Sequence, residues 1–186
     1  MNEPTIANAD IVNDLTMSAY EVIRAAAPGK TIMFEAYHAA KFADLEVLTL
    51  PADGNIIFSG HYYEPYNYSH QGNGYACKGD ETYTNTAKAD MKNYAALATK
   101  LYPDVNGGHI PMNMGEFGIS GQSNWQCDKD GPSDKYKAMW TQLTIEAAEA
   151  YDISWHYWGF AGVGGFEVYD KYEKKWLPGF PAAFGL

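Results

Sequence analysis

Short apolar segments that alternate with longer amphipathic ones are the feature that most constrains how this chain can fold. The apolar segments lie at 31–35, 55–63, 110–115 and 153–158. The amphipathic segments repeat apolar residues at helical spacing and lie at 8–26, 39–49, 86–101 and 133–150. Short strands buried on both faces and separated by helices are typical of parallel sheets with crossover helices. The sequence therefore predicts an α/β fold.

Residues that start and stop helices bound the amphipathic segments. Asn8 or Asp10 can cap the first helix, and Pro28-Gly29 ends it. Ser133 is the expected cap of the last helix. A long loop is predicted over 64–84, and a Gly-rich loop with a Trp- and Pro-rich tail is predicted after the last strand.

The number of strands is smaller than a closed parallel barrel needs. A (β/α)8 barrel takes about 250 residues, whereas this chain has 186. Beside the four clear strands, the first residues read as the end of a further strand whose body is missing. We therefore expect an incomplete (β/α)8 barrel. The sequence has no GxGxxG or P-loop motif, so a nucleotide-binding doubly wound sheet is not indicated.

Charge and aromatic content narrow the range of partners. The formal net charge is −10, and the few Lys and Arg are scattered, so neither nucleic acid nor an anionic membrane is an expected partner. The chain has 15 Tyr, 8 Phe and 5 Trp, many of them in Gly-, Asn- and Pro-rich segments. Flat rings beside hydrogen-bonding groups suit sugar rings, which have apolar faces and a polar rim. The alternative is that these rings pack beneath long loops.

Two carboxylates fall at expected strand ends, where barrel enzymes keep their active sites. Glu116 follows the apolar segment at 110–115, and Glu3 follows the stub of the first strand. A carboxyl pair can serve as general acid and nucleophile. Glu116 could instead be a structural carboxylate, and the residues around Glu3 do not by themselves distinguish it from a frayed terminus. His61 and Tyr63 alternate along one strand, so both are expected on one side.

Four motifs in order resemble glycoside hydrolase family 5, the cellulase family. They are MNEP at 1–4, HYYEPYNYSHQG at 61–72, MGEFG at 114–118 and WHYW at 155–158.

The resemblance implies a role for each matching residue. It implies that Glu3 is the general acid/base and Glu116 the nucleophile. Asn2 would bind the sugar 2-hydroxyl, and His61 and Tyr63 would position the sugar and the nucleophile. Within the last motif, Trp158 is favoured over Trp155 as the ring on which a sugar stacks.

The resemblance also implies the fold, the domain and the reaction. Residues 1–186 would form the C-terminal part of a single catalytic domain, from the stub of the fourth barrel strand to the eighth. Retaining double displacement would place the two carboxyls roughly 5 to 5.5 Å apart. The expected substrate is β-1,4-glucan cleaved internally. Mannan, xyloglucan and β-1,3-glucan remain alternatives, as does a non-catalytic carbohydrate-binding relative.

Cys77 and Cys127 fall in loops after two strands that the resemblance makes neighbours, so they could form a disulfide or remain two free thiols. No spacing supports a metal site, and no cofactor is expected. An extracellular or periplasmic location is implied by the family, although the chain shows no signal peptide. The sequence leaves the oligomeric state open.

Overall fold

A four-stranded parallel sheet with strands in sequence order organises the chain. The computed structural model describes residues 2–5, 8–82, 85–103, 105, 109–121, 126–127, 130–162 and 164–186. The strands are Ile32–Glu35 (β1), Ile56–Tyr62 (β2), Met112–Phe117 (β3) and Ile153–Tyr157 (β4).

The helices that alternate with these strands are Ala9–Ala26 (α1), Tyr37–Ala40 (α2), Tyr66–Ser69 (α3), Ala87–Leu101 (α4), Asp134–Glu149 (α5) and Phe180–Ala183 (α6). The described residues also form two 3₁₀ turns, Phe42–Val47 and Gly79–Thr82, and a small antiparallel pair, Tyr169–Asp170 (β5) and Lys175–Trp176 (β6). The predicted α/β alternation is confirmed. None of the helices in the described part of the chain is both long and apolar enough to span a membrane.

Helix α1 begins and ends where its sequence predicts. The Asn8 side chain accepts a hydrogen bond from the Asp10 backbone N–H at 2.8 Å, which satisfies one donor of the first turn. At the other end, Arg24 pairs with Asp53 at 2.7 Å and donates to the Asn55 carbonyl at 3.1 Å. Arg24 therefore ties the end of α1 to the turn that leads into β2.

The structure corrects several predicted boundaries. The segment at 39–49 is not one helix, because His38 and Ala39 have φ of 61° and 59° and a 3₁₀ turn follows. Strand β3 begins and ends two residues later than the segment predicted at 110–115, so Glu116 lies within the strand. The predicted loop at 64–84 contains α3 and a 3₁₀ turn; its last two residues lie outside the described part of the chain.

Contacts between Cα atoms divide the chain into two compact units. Unit 1 comprises Met1–His61, Lys92–Gly115 and Asp152–Ser154, and unit 2 comprises Tyr62–Met91, Glu116–Tyr151 and Trp155–Leu186. Strands β2, β3 and β4 each run from unit 1 into unit 2 along the chain.

Unit 1 has an apolar core centred on β1 and β2. Parallel pairing sets Ile32 opposite Ile56 and Phe34 opposite Phe58. The Phe42 ring lies edge-on to Phe58 at 5.6 Å and stacks on Tyr94 at 5.2 Å. Aromatic pairs in these geometries contribute about 0.5–1.5 kcal/mol beyond their burial.

Unit 2 is built around Trp140 of α5, which is fully buried. Its ring stacks against Tyr62 at 6.4 Å and Phe117 at 6.3 Å. Phe117 in turn lies edge-on to Trp155 and Tyr157 of β4. The side chain of Phe117 therefore points into this core, which directs its neighbour Glu116 to the other side of β3.

A disulfide between Cys77 and Cys127 lies within unit 2, with the two Cα atoms 5.4 Å apart. It joins the loop that follows β2 to the loop that follows β3. The sequence alone left this pairing open, and the structure resolves it in favour of the bond.

We expect replacement of both cysteines by serine to lower the free energy of unfolding by about 2–4 kcal/mol, because the bond closes a long loop in the unfolded chain. The two cysteines are 50 residues apart. Urea unfolding with and without dithiothreitol measures the effect. The double-serine variant is the control, since the reductant should leave its midpoint unchanged; an equally stable reduced parent would contradict the prediction.

Candidate active site

In unit 1, one histidine lies between two glutamates. His61 Nδ1 is 2.8 Å from Glu3 Oε1, and His61 Nε2 is 3.5 Å from Glu35 Oε1. The His61 side chain is only 3 % exposed. Either group can be the donor of this hydrogen bond, so one proton lies between His61 Nδ1 and Glu3 Oε1. This arrangement suits a group that must give up and regain a proton.

The backbone around Glu3 fixes the direction of its side chain. Glu3 has φ of 45°, an uncommon conformation for a residue with a side chain. Its backbone N–H donates to Glu35 Oε2 at 3.4 Å, and the carbonyl of buried Pro4 accepts from Ala39 N–H at 3.2 Å. Asn2 is exposed beside Glu3 along the chain. The described N-terminal residues are thus attached to the end of β1.

A layer of buried polar side chains crosses the strands of unit 1 below His61. Asn113 Nδ2 donates to Ser59 Oγ at 3.2 Å, and Ser154 Oγ donates to Asn113 Oδ1 at 2.9 Å. Gly115 is required beside this layer, because a Cβ there would lie 2.5 Å from Ser59 Oγ. This close approach explains the glycine that precedes Glu116 in the MGEFG motif.

In unit 2, Tyr63 holds Glu116. The Tyr63 hydroxyl donates to Glu116 Oε2 at 3.0 Å. The Tyr63 carbonyl accepts from Ser69 Oγ at 2.5 Å, so both ends of the tyrosine are fixed. Glu116 is half-buried on β3. One carboxylate oxygen thereby has a fixed position and a neutral hydrogen-bond donor.

Aromatic rings pack around Tyr63. His70 lies edge-on to the Tyr63 ring at 5.0 Å and stacks on Tyr66 at 3.7 Å. Phe166 packs edge-on against both Tyr63 and His70, at 6.0 and 5.3 Å. Ser69 Oγ is 2.8 Å from His70 Nδ1. Burial lowers the pKa of His70 to about 4, so this ring is neutral near pH 7.

The two tryptophans of the last motif have different surroundings. Trp155 is half-buried, stacks on Phe184 at 6.0 Å and donates from its ring nitrogen to Glu149 at 3.1 Å. Trp158 is 42 % exposed, and its backbone N–H donates to the Phe117 carbonyl at 2.8 Å. Of these two tryptophans, Trp158 has the more exposed side chain.

Glu35 and Phe166 belong to these clusters and are not among the residues that the sequence predicted. Glu35 contacts His61, and its sequence signal is an acidic residue at the carboxyl end of an apolar strand, as for Glu116. Phe166 contacts Tyr63, but it lies in a Gly-rich loop with no periodic pattern. Of these two residues, only Glu35 could therefore have been found from the sequence.

A parallel sheet whose strand ends carry glutamates and exposed aromatic rings is an arrangement of the (β/α)8-barrel class. The family model for cellulase (glycosyl hydrolase family 5) matches residues 1–162. The chain belongs to this family, and its fold is part of a (β/α)8 barrel.

Individual relatives agree with this assignment. The chain is 30 % identical to endoglucanase A of Paenibacillus barcinonensis over 126 residues, which are 64 % of this chain and 30 % of that protein. A structure of a hyperthermophilic endo-β-1,4-glucanase in complex with substrate matches all of this chain and 57 % of its own length, at 26 % identity and TM-score 0.79. The cellulose synthase subunit Z of Clostridioides difficile matches 98 % of this chain and 58 % of its own length, at 27 % identity and TM-score 0.77. The chain thus spans a little under three fifths of the solved relatives.

The neutral His70 makes a pH dependence of stability testable. Between pH 6.5 and about 4 the unfolded chain binds a proton at this histidine that the folded chain does not, so stability falls as the pH is lowered. At pH 5 this loss is roughly 2 kcal/mol. We expect His70→Gln to lose less stability than the parent between pH 7.5 and pH 5, as measured by urea unfolding. Equal losses in both proteins would contradict the prediction.

Proposed function

We propose that this chain is the C-terminal part of a single glycoside hydrolase domain that cleaves β-1,4-glucan internally with retention of configuration. In this mechanism one carboxylate attacks the anomeric carbon while a carboxylic acid protonates the leaving oxygen. The group that acted as the acid, now ionised, then removes a proton from the water that hydrolyses the glycosyl intermediate. We assign the attack to Glu116 and the proton transfers to Glu3.

The observation that supports this assignment best is the pairing of each glutamate with a ring from the end of β2. His61 contacts Glu3, and Tyr63, two residues later, donates to Glu116. Each carboxyl is held by a different kind of partner. Two carboxyls can take different catalytic roles when their surroundings differ, as the surroundings of Glu3 and Glu116 do.

The partners of each carboxyl suit its proposed role. His61 lies between Glu3 and Glu35 and contacts the Glu3 carboxyl at 2.8 Å, which orients that carboxyl for proton transfer to the leaving oxygen. Tyr63 donates to one oxygen of Glu116, which orients the carboxylate for attack. The mechanism requires the two carboxyls to lie roughly 5 to 5.5 Å apart in the working enzyme.

Exposed aromatic rings supply a proposed binding surface for the glucan. We assign the sugar at the cleavage point to Trp158, with Asn2 bonding its 2-hydroxyl. Tyr66 and Tyr75 are 38 % and 43 % exposed, and their rings meet edge-on at 5.5 Å. These two tyrosines would contact neighbouring sugars.

The relatives support the choice of substrate and location. Two of them are named an endoglucanase and an endo-β-1,4-glucanase, which favours β-1,4-glucan for this chain. An extracellular or periplasmic location is proposed because the Cys77–Cys127 disulfide suits an oxidising compartment.

Release of reducing ends from carboxymethyl-cellulose tests the proposal. We expect the parent to release them and Glu116→Gln to fall to background, because the amide cannot attack the anomeric carbon. Tyr172→Phe is a matched control, since Tyr172 is 85 % exposed and far along the chain from both glutamates. Galactomannan, xyloglucan and β-1,3-glucan are assayed in parallel, and cleavage of one of these alone would replace the substrate. A folded parent that binds glucan without cleaving any of them would be a carbohydrate-binding protein.

A separate prediction distinguishes the two glutamates. Glu3→Gln should lower hydrolysis of cellulose by about 10²–10⁴-fold, because the leaving oxygen is no longer protonated. The first step should survive with an aryl cellobioside whose leaving group needs no proton, so a burst of phenolate should precede slow turnover. Glu116→Gln should give no burst. A burst from Glu116→Gln and none from Glu3→Gln would reverse the assignment.

A further inference from the structure

A fully buried lysine lies inside unit 2, on helix α5. Lys137 has no exposed surface, although lysine is almost never fully buried without partners. Burial lowers the pKa of Lys137 to about 8, and the nearby carboxylates of Asp134 and Glu167 offset part of this shift. Burying an ammonium group costs several kcal/mol unless hydrogen bonds satisfy it. The hydrogen bonds of Lys137 therefore indicate why a lysine occupies this position.

Lys137 holds the Gly-rich loop that follows β4. Its Nζ donates to the Gly165 carbonyl at 3.0 Å and to the Glu167 carbonyl at 3.3 Å. The carbonyl between them, that of Phe166, accepts from the Tyr157 hydroxyl at 3.2 Å. Three consecutive carbonyls are thus fixed by side chains from α5 and β4.

The path of the lysine side chain is itself built into the sequence. A Cβ at Gly121 would overlap Lys137 Cδ, and it would also lie 2.7 Å from the Pro132 carbonyl. The Nζ atom lies 5.7 Å from the centre of the Phe180 ring, which provides a cation–π contact. Glycine at 121 therefore makes room for the stem, and an aromatic ring faces the charged end.

The loop that Lys137 holds carries the ring that supports Tyr63. Phe166 is 7 % exposed and packs edge-on against Tyr63 and His70. Tyr63 is the donor to Glu116. Lys137 therefore bonds the carbonyls on both sides of Phe166, the Phe166 ring packs on Tyr63, and Tyr63 donates to Glu116, all within unit 2.

We propose that Lys137 is a positioning residue, which fixes the Phe166 ring and thereby holds Tyr63 in the orientation that donates to Glu116. The catalytic consequence rests on the proposed function, whereas the effect on Tyr63 does not. A displacement of a positioned group by about 1 Å can cost roughly 10²-fold in rate. Lys137 would thus act on the nucleophile without touching the substrate.

Fluorine NMR of protein labelled with 3-fluorotyrosine tests the positioning directly. The chain has 15 tyrosines, and Tyr63→Phe identifies the Tyr63 signal by its loss. We expect Lys137→Met to move or broaden the Tyr63 signal and to leave those of Tyr20 and Tyr102 in unit 1 in place. Lys135→Met is the matched control, because Lys135 is exposed and its Nζ atom lies 5.8 Å from the centre of the Tyr136 ring. An unmoved Tyr63 signal in folded Lys137→Met would overturn the proposal.

A second variant covers the case in which Lys137→Met does not fold. Phe166→Leu retains Lys137 and removes the aromatic ring that packs against Tyr63. A shifted Tyr63 signal in this variant supports the path, and an unchanged one overturns it.

Kinetics then separate positioning from general stabilisation. If the parent is active, Lys137→Met should lower kcat by about 10- to 100-fold with little change in KM, well below the unfolding temperature. In a Tyr63→Phe background the same change should cost almost nothing further, because the effect acts through Tyr63. Multiplicative losses would overturn the proposal. If the parent is inactive, the proposed function fails, while the fluorine signals still decide whether Lys137 positions Tyr63.

Discussion

Parallel pairing of β2 is the constraint on which the placement of the reactive side chains depends. In-register pairing with β1 sets Glu35 opposite Ser59, two residues before His61. An isolated bridge between Lys41 and His61 continues this pairing past the end of β1. Because parallel strands all end at one edge of a sheet, side chains from distant segments meet there without any long loop to carry them. The contact of His61 with Glu35 follows from this geometry.

Behind these reactive groups lie buried polar groups whose partners come from neighbouring strands and helices. The Ser59, Asn113 and Ser154 side chains bond one another in unit 1, and Lys137 bonds two loop carbonyls in unit 2. A buried polar group without a partner costs about 1–3 kcal/mol, so each of these bonds restricts the backbone to one arrangement. Rigid support of this kind is what a site needs if its carboxyls are to keep a fixed geometry.

Much of the fold could be predicted because it is encoded locally. Helix α1 carries its own cap at Asn8 and a stop at Pro28, and the four strands are short apolar runs. The errors fall where local patterns are weak. The segment at 39–49 contains apolar residues at helical spacing. Residues with positive φ nevertheless end α2 at Ala40, and a separate 3₁₀ turn follows. The hairpin of β5 and β6 was missed because strands of two residues have no periodicity to detect.

By itself the sequence determined the α/β class and the residues on which a hydrolytic mechanism could rest, since three of the four motifs lie at the ends of strands β2, β3 and β4. Its resemblance to the family also favoured Trp158 over Trp155 as the ring on which a sugar stacks. Only the tertiary structure decided that Cys77 is bonded to Cys127, that His61 faces Glu35 as well as Glu3, and that Lys137 holds the loop of Phe166. The physical reason is distance along the chain. Periodicity and caps depend on neighbours within a few residues, whereas these contacts join segments that only the sheet and its helices bring together.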